Sequence, residues 1–159
     1  MTDLSRGSIA NPIPLLLSGV KGILTVVKTV AETVSNNNTP QDDDQLFIAL
    51  EANSRYLFIL FMSIEIKAAS DFRFDFTVPL GATITGNITS AAENVLELDL
   101  TALRSITATA AITICPRYIG KITTNSTAGT LQLQWAQLVA VIENTVMQAG
   151  SYISLVKLA

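Results

Sequence analysis

The sequence predicts an all-β fold, a jelly-roll-like antiparallel β-sandwich preceded by an extended N-terminal arm. Short segments such as "DFRFDFTVP" alternate apolar and polar residues, which is the period of a strand with one buried face. Turn-forming segments such as "SNNNTPQDDD" and "TNSTAG" separate them at intervals of about 8 to 20 residues, a spacing typical of sandwiches and barrels. About nine or ten strands of this length fold most naturally as two packed sheets.

Residues 1–24 form the predicted arm, and residues 25–159 form the predicted sandwich. Pro12 and Pro14 hold the backbone of the arm extended and remove donors that a sheet would need. Four apolar side chains of the arm would be exposed if it stood alone: Ile13, Leu15, Leu16 and Leu17. They therefore need a neighbour, which is either the chain's own domain or another subunit.

From Ile23 onward, one predicted strand follows another. The segment beginning at Leu138, "LVAVIENTVMQ", is predicted as strand or loop rather than as a short helix. In chain order, the strand segments are "ILTVVKTVAETV", "LFIALEA", "RYLFILFMSIEIKA", "DFRFDFTVP", "ATITGNITS", "NVLELDLTAL", "SITATAAITIC", "YIGKITTNS", "GTLQLQWAQ" and "GSYISLVKLA".

The stretch from Pro12 to Val34 is the most hydrophobic early segment of the chain. Lys21 and Lys28 divide it into runs far shorter than the ~18 to 20 apolar residues of a membrane span. Lys21 also interrupts the apolar centre that a signal peptide requires. We therefore expect no membrane partner and an intracellular product without an export signal.

Charge is scarce along the whole chain. Charged residues make up 14% of the sequence and hydrophobic residues 49%, whereas about 25% is charged in ordinary soluble domains. This shortage indicates that a partner covers part of the surface. The net charge is −3, and the ten Lys and Arg residues are spread singly, so no basic stripe is available for nucleic acid.

The chain contains no histidine, which removes His-based acid–base catalysis, the usual zinc ligand sets, and the Ser-His-Asp and Cys-His arrangements. The single cysteine, Cys115, lies in the apolar run "AAITICPRY". It cannot form an internal disulfide, and we predict that it is a buried structural thiol. We predict no catalytic residue, no bound metal and no cofactor.

Two acidic groups carry alternative interpretations. The run of Asp42, Asp43 and Asp44 offers oxygen ligands to calcium, but it lacks the alternating acids and central glycine of a calcium loop, so a solvated turn is favoured. Glu97 and Asp99 share one strand face, about 6 to 7 Å apart, which is near the carboxyl separation of glycosidases. Any charged face of an alternating strand has this spacing, so an exposed face is favoured over a glycan hydrolase.

The order of several segments resembles a group of β-rich structural domains of tailed bacteriophages, which occur on capsid surfaces and in tail or fibre proteins. The segments are "KTVAETVSNNNTPQDDDQLFIALEANSRYLF", "DFRFDFTVPLGATITG", "TAGTLQLQWAQ" and "AGSYISLVKLA", and the match covers roughly Lys28 to Ala159. The resemblance implies a jelly-roll-like module that works as a homotrimer and has no catalytic residues to carry over.

Fibre-borne copies of such domains usually end a much longer chain, whereas this chain has 159 residues and one short arm. It therefore looks more like a capsid decoration, or cement, protein, with the phage major capsid protein as its partner. The resemblance then implies a virion location on the capsid surface, after synthesis in the bacterial cytoplasm. The alternative is a tail or fibre tip that binds a host glycan or receptor.

The stretch "GTLQLQWAQ" has neutral amides where a solvated strand face normally carries charge. Leu131, Leu133 and Trp135 are predicted to face the core, and the indole N–H of Trp135 needs one acceptor. The trimer interface is predicted at Gln132, Gln134 and Gln137, with Gln137 included only if the strand bulges or ends near residue 136. Amides near a threefold axis bond to their own copies without like-charge repulsion; the other interpretation is an exposed face.

Overall fold

The computed structural model describes residues 20–89 and 94–158. Fourteen strands and no helix lie in these ranges, so no helix of the described chain is long and apolar enough to cross a membrane. The strands are β1 (Val20–Val27), β2 (Glu32–Val34), β3 (Gln41–Leu50), β4 (Arg55–Phe61), β5 (Ile64–Ile66), β6 (Phe72–Thr77), β7 (Thr83–Thr89), β8 (Asn94–Asp99), β9 (Arg104–Ile106), β10 (Ile112–Ile114), β11 (Arg117–Thr123), β12 (Gly129–Ala136), β13 (Thr145–Met147) and β14 (Tyr152–Leu158).

The strands form one long bent layer and one shorter layer. The long layer begins as a six-stranded sheet in the order β1-β14-β4-β11-β7-β8. Four of its strands continue past a bend into the four-stranded sheet β10-β5-β13-β2, in which their continuations keep the same neighbours. Backbone hydrogen bonds cross the bend, from Met62 N to Pro116 O at 3.2 Å and from Gln148 N to Ser63 O at 2.8 Å.

The opposite layer is the sheet β3-β12-β6-β9, and every strand pair in the described chain is antiparallel. One layer therefore places β1, β14, β4 and β11 side by side, and the other places β3, β12, β6 and β9 side by side. This interleaving of early and late strands is the double Greek key of a jelly roll. The β7–β8 hairpin widens the first layer, and the predicted fold class is confirmed.

Aromatic rings from both layers fill the space between them. Phe58 of β4 meets Phe76 of β6 edge-to-face, with ring centroids 5.5 Å apart, and Phe74 meets Tyr118 of β11 in the same way at 5.1 Å. All four side chains are buried, as predicted for Phe74 and Phe76 from the alternation in "DFRFDFTVP". Offset and edge-to-face contacts of this kind add about 0.5 to 1.5 kcal/mol each beyond the area they bury.

Three features differ from the sequence-based expectation. Residues 20–24, which the sequence assigns to the arm, belong to β1 and pair with the distant strand β14. The strands outnumber the prediction because the bend divides segments such as "RYLFILFMSIEIKA" into two strands. The prediction that Cys115 is buried is wrong: its thiol is exposed, because the apolar run that contains it crosses the surface near the end of β10 rather than the core.

The predicted contact residues of the arm lie outside the described residues, and so do residues 1–19 as a whole. The segment from residue 137 to 144 is a loop that leads into β13, which fits the prediction of strand or loop there.

Candidate interaction surfaces

The solvent side of the six-stranded sheet carries a group of apolar side chains, which Thr25 and Ser154 interrupt and which Arg117 and Lys121 border on β11. We call this surface the outer apolar face, and its members come from β1, β4, β11 and β14: Ile23, Val27, Leu57, Ile59, Phe61, Ile119, Tyr152 and Val156. Leu57 is 48% exposed, Ile119 54% and Ile23 68%. Exposed apolar side chains grouped on one sheet face make this surface a candidate interaction site.

Strand register brings these residues together across the sheet. Ile23 is the partner of Val156, and Val156 is the partner of Leu57. In the next row, Ile59 stands beside Ile119. The alternating residues Tyr56, Phe58 and Leu60 point to the core and are fully buried, so the patch lies on the opposite side of the same strands.

The sequence of β4 carries a signal for this face. The run "RYLFILF" of β4 is apolar at every position from Tyr56 to Phe61. A strand with one solvated face alternates, whereas a strand covered on both faces is continuously apolar. The run is therefore typical of a strand that is covered on both faces.

A groove of about 410 Å³ opens on this side of the sheet, between β4, β11 and β7. Leu57, Ile119 and Lys121 contribute to its lining, and Gly86 and Gly120 lie at its base. The backbones of β7 and β11 come very close here, since a Cβ added to Gly120 would lie 2.6 Å from the Cα of Gly86. Glycine at position 120 is what permits this approach.

The amide row occupies the outer side of the other layer. Gln132 and Gln134 are half-buried on β12, and Leu131, Leu133 and Trp135 are fully buried, as predicted. The amide nitrogen of Gln132 donates to the carbonyl oxygens of Asp43 and Leu133, both at 2.9 Å. The amide of Gln134 donates to Asp42 Oδ1 at 2.7 Å. These amides therefore use part of their hydrogen-bonding capacity within the subunit.

Gln137 does not belong to this row, because its side chain is fully buried inside the subunit. Its Oε1 accepts from the backbone N–H groups of Asn37 and Val141, both at 3.2 Å, and its Nε2 donates to Glu143 O at 2.6 Å. The strand does end at residue 136, but Gln137 then turns inward and holds two loops together. Its amide is therefore not on the surface of the subunit.

The three adjacent aspartates point in different directions and do not form a common ligand set. Asp42 and Asp44 are exposed, whereas Asp43 is buried. Within the described part of the chain, no cluster of three or more acidic or cysteine side chains is placed to hold a metal ion. The prediction of a solvated turn at residues 42–44 is wrong, because all three residues belong to strand β3.

Asp43 is the centre of a buried polar network. The ammonium of Lys28, itself buried, lies 2.9 and 3.0 Å from the two carboxylate oxygens of Asp43 and 2.7 Å from Glu32 Oε2. The indole N–H of Trp135 donates to Asp43 Oδ2 at 3.1 Å, so this buried donor has the acceptor it needs. The backbone N–H groups of Gln45 and Leu46 donate to Oδ1 at 2.9 and 2.8 Å.

A β-bulge places Asp43 inside. On β12, Gln132 pairs with Phe47 and Gln134 pairs with Asp42, so residues 43–46 of β3 stand opposite a single residue. Extra residues in one strand shift the phase of alternation. Strict alternation back from the buried Leu46 would turn residue 44 inward, whereas the bulge turns Asp43 inward instead.

Other acidic residues on the surface have defined environments. Burial raises the pKa of Asp75 on β6, and the nearby Arg73 guanidinium opposes this by lowering the pKa. A hydrogen bond from the Thr101 hydroxyl and one from its backbone N–H lower the pKa of Asp99. Asp99 thus caps a turn at the end of β8; the backbone of Glu97 lies in the same strand, and its side chain is outside the described residues.

No family model and no curated protein match the chain. The solved structures that show weak structural similarity to it include two of infectious bursal disease virus. The structure of infectious bursal disease virus Gx strain matches with 9% identity over 86% of this chain and 40% of that chain, at a TM-score of 0.25. The structure of the Gt strain matches with 11% identity over 86% and 35%, at a TM-score of 0.18. The match covers less than half of the length of either viral chain. Similarity this low assigns neither a fold nor a function to the protein.

Proposed function

We propose that the chain is a non-enzymatic viral structural protein, a capsid decoration or cement protein of a tailed bacteriophage. It forms a homotrimer on the outer surface of the shell and clamps neighbouring major capsid subunits. The observation that carries the proposal is the outer apolar face on a jelly-roll scaffold. Jelly rolls are a common architecture of viral capsid proteins, and an exposed apolar sheet face is a binding surface rather than a catalytic one.

The composition supports the same proposal. A chain with 14% charged residues and net charge −3 is suited to a protein whose surface is largely shared with partners, since interface cores are depleted in charge. A trimer that binds one lattice through three arms gains from multivalency, because each later contact is effectively intramolecular. Weak contacts at Ile13, Leu15, Leu16 and Leu17 of each arm are then sufficient.

A binding assay with undecorated phage capsids tests the capsid role. We expect the full chain to co-sediment with capsids and a chain without residues 1–19 to bind much more weakly. The deletion stops at residue 19 because β1 begins at Val20, so the sandwich keeps its edge strand. Failure of the full chain to bind capsids would contradict the proposal.

The predicted trimer contact at Gln132 and Gln134 has a separate test. Replacing both residues with Glu places like charges from three subunits near one axis, so the trimer should dissociate near neutral pH, as measured by light scattering. The matched control is Thr130→Glu on the same strand, which is exposed two positions earlier. A double variant that remains trimeric would show that the amide row is only solvated.

The second candidate function is a tail or fibre tip that binds a host surface glycan. The observation that favours it is the group around the amide row, where the half-exposed ring of Phe47 pairs with Gln132 and the carboxylates of Asp42 and Asp75 flank Gln134. Amides, carboxylates and an aromatic ring are the groups that orient sugar hydroxyls and stack on sugar rings. Adsorption of the isolated protein to host cells, and loss of adsorption in Phe47→Ala, would favour this function over the capsid role.

A further inference from the structure

We infer that Lys28 and Asp43 are the two ends of a covalent cross-link. The folded chain condenses the amine of Lys28 with the carboxyl group of Asp43 into an amide, and Glu32 carries the proton that must move. This modification site lies inside one subunit, so it goes beyond the proposed capsid role and does not depend on it.

The Lys28–Asp43 pair is the most deeply buried ion pair of the described chain. The side chain of Lys28 is 1% exposed and that of Asp43 0%, whereas the Lys67–Glu65 and Lys157–Glu51 pairs are partly in solvent. Holding two charges away from water is costly. An amide is neutral, so condensation removes both charges from the interior. The closed site also excludes the water that would hydrolyse the product.

The Lys28 nitrogen is in position to attack the carboxyl carbon of Asp43. Nζ lies 2.9 Å from Oδ2 and 3.0 Å from Oδ1, so it is almost equidistant from the two oxygens and faces the carbon between them. With a carboxyl group of ordinary dimensions, the nitrogen is then within about 3.5 Å of that carbon, the distance of a near-attack arrangement. The backbone of Lys28 is fixed as well, because its N–H donates to Ser151 O at 2.7 Å and its carbonyl accepts from Gly150 N at 2.8 Å.

The hydrogen bonds to Asp43 distinguish its two oxygens. Oδ1 accepts from the backbone N–H groups of Gln45 at 2.9 Å and Leu46 at 2.8 Å. Both donors belong to the bulge at residues 43–46, an irregularity of the kind that re-aims groups beside active sites. Two backbone donors stabilise the negative charge that develops on Oδ1 when the nitrogen adds to the carbon, as in an oxyanion hole. Oδ1 therefore remains as the amide oxygen, and Oδ2 is the oxygen that leaves.

Glu32 supplies the group that moves the proton. Its Oε2 lies 2.7 Å from Lys28 Nζ and also accepts from the backbone N–H of Asp44 at 3.3 Å. Its Oε1 accepts from Gln41 Nε2 at 3.2 Å. These bonds hold the carboxylate against the amine. A carboxylate within hydrogen-bond reach of the atom that loses a proton can act as a general base.

The atoms balance without any further reactant. A proton passes from the Lys28 ammonium to the Asp43 carboxylate, which leaves an amine and a carboxylic acid. The amine nitrogen then adds to Cγ of Asp43. Glu32 takes the proton that the nitrogen loses and gives it to the departing Oδ2 hydroxyl. The Nζ–Cγ bond forms, the Cγ–Oδ2 bond breaks, and one water leaves.

Mass spectrometry of the purified full chain tests the cross-link. The intact mass should be lower than the mass of the sequence by one water. Trypsin cleaves after a free lysine but not after an acylated one, so residues 22–55 should appear as a single peptide, also lighter by one water. Cleavage after Lys67, whose pair with Glu65 is partly exposed, is the control in the same digest.

A folded chain of full mass that is cleaved after Lys28 would overturn the inference. So would a loss of one water with cleavage after Lys28 retained, because a succinimide at Asp43 has that signature. The measurement uses purified protein without capsids, so its failure is distinct from failure of the capsid role.

Three variants assign the roles, and circular dichroism checks that each is folded. Lys28→Arg keeps a cation beside Asp43 but has no amine that condenses, so it should have full mass. Glu32→Gln keeps the size of the side chain but cannot accept the proton, so the cross-link should form about 100-fold more slowly. Asp43→Asn should lose one ammonia instead of one water, which identifies residue 43 as the acyl group independently of Glu32. Loss of water from Lys28→Arg or from Asp43→Asn would contradict the assignment, and so would an unchanged rate in Glu32→Gln.

Discussion

The buried network around Asp43 leads to a sharp prediction about stability. Asp43→Ala leaves the buried ammonium of Lys28 with Glu32 as its remaining charged partner, and it removes the acceptor for the indole N–H of Trp135 and for two backbone N–H groups. Removing one partner of a buried ion pair typically destabilises a protein by about 3 to 5 kcal/mol. This is a large share of a total stability of about 5 to 15 kcal/mol.

The assay is chemical and thermal unfolding, followed by Trp135 fluorescence and circular dichroism. A loss of about 3 to 5 kcal/mol corresponds to a fall in Tm of about 10 to 15 °C for a domain of this size. The matched control is Asp44→Ala, the exposed neighbour on the same strand, which should change stability by no more than about 0.5 kcal/mol.

A double-mutant cycle separates the ion pair from the other bonds of Asp43. Lys28→Met alone leaves a buried carboxylate without its closest cation, so it should also be strongly destabilising. The double variant should be more stable than the sum of the two single effects predicts, by about 1 to 3 kcal/mol, because neither charge is then left alone. Additive single effects would refute the coupling between Lys28 and Asp43. Equal losses from Asp43→Ala and Asp44→Ala would refute the argument that residue 43 is the buried member of the acidic run.

Three further predictions concern local packing, accessibility and pH. Gly120→Ala should destabilise the fold by about 1 to 3 kcal/mol or more in the same unfolding assay, because the new Cβ would overlap the carbonyl oxygen of Thr85. The control is Gly22→Ala, which should be nearly neutral because its new Cβ meets nothing within 4 Å. The Cys115 thiol should react with a thiol reagent in the native protein as fast as in the unfolded chain; slow reaction before unfolding would restore the buried-thiol hypothesis. Burial raises the pKa of Asp75 in the folded protein, so the ionised carboxylate destabilises the fold at pH values above that pKa. Asp75→Asn should therefore raise Tm near neutral pH, and this gain should vanish below the pKa that Asp75 has in the unfolded chain. A gain in Tm that does not change with pH would contradict this prediction.

The period of hydrophobicity predicted which residues face the core. Phe74 and Phe76 on β6, and Leu131, Leu133 and Trp135 on β12, are buried as the alternation indicated. The prediction succeeds because successive side chains of a strand point to opposite faces. A strand with one covered face therefore has apolar residues at every second position. The fold class followed from the number and spacing of such segments.

The same rule could not place the acidic run. A bulge in β3 moves Asp43 inside, and that bulge exists only in the pairing with β12, whose residues lie about ninety positions later in the chain. The exposed position of Cys115 has a similar cause, since an apolar run becomes core only if another layer covers it. The outer apolar face is the intermediate case: the unbroken apolar run of β4 indicated it, but its extent depends on strands β1, β11 and β14 lying beside β4.

By itself, the sequence determined that this protein is an all-β sandwich, that "GTLQLQWAQ" has one buried face with Trp135 in it, and that charged residues are scarce along the chain. Only the tertiary structure decided that Gln137 turns inward, that Lys28 and Asp43 form a buried pair, and that the apolar surface is one side of a single six-stranded sheet. The physical reason is that alternation is a local property of one strand. Register, bulges and neighbouring strands come from pairings between distant segments, and they decide which of the two faces is covered.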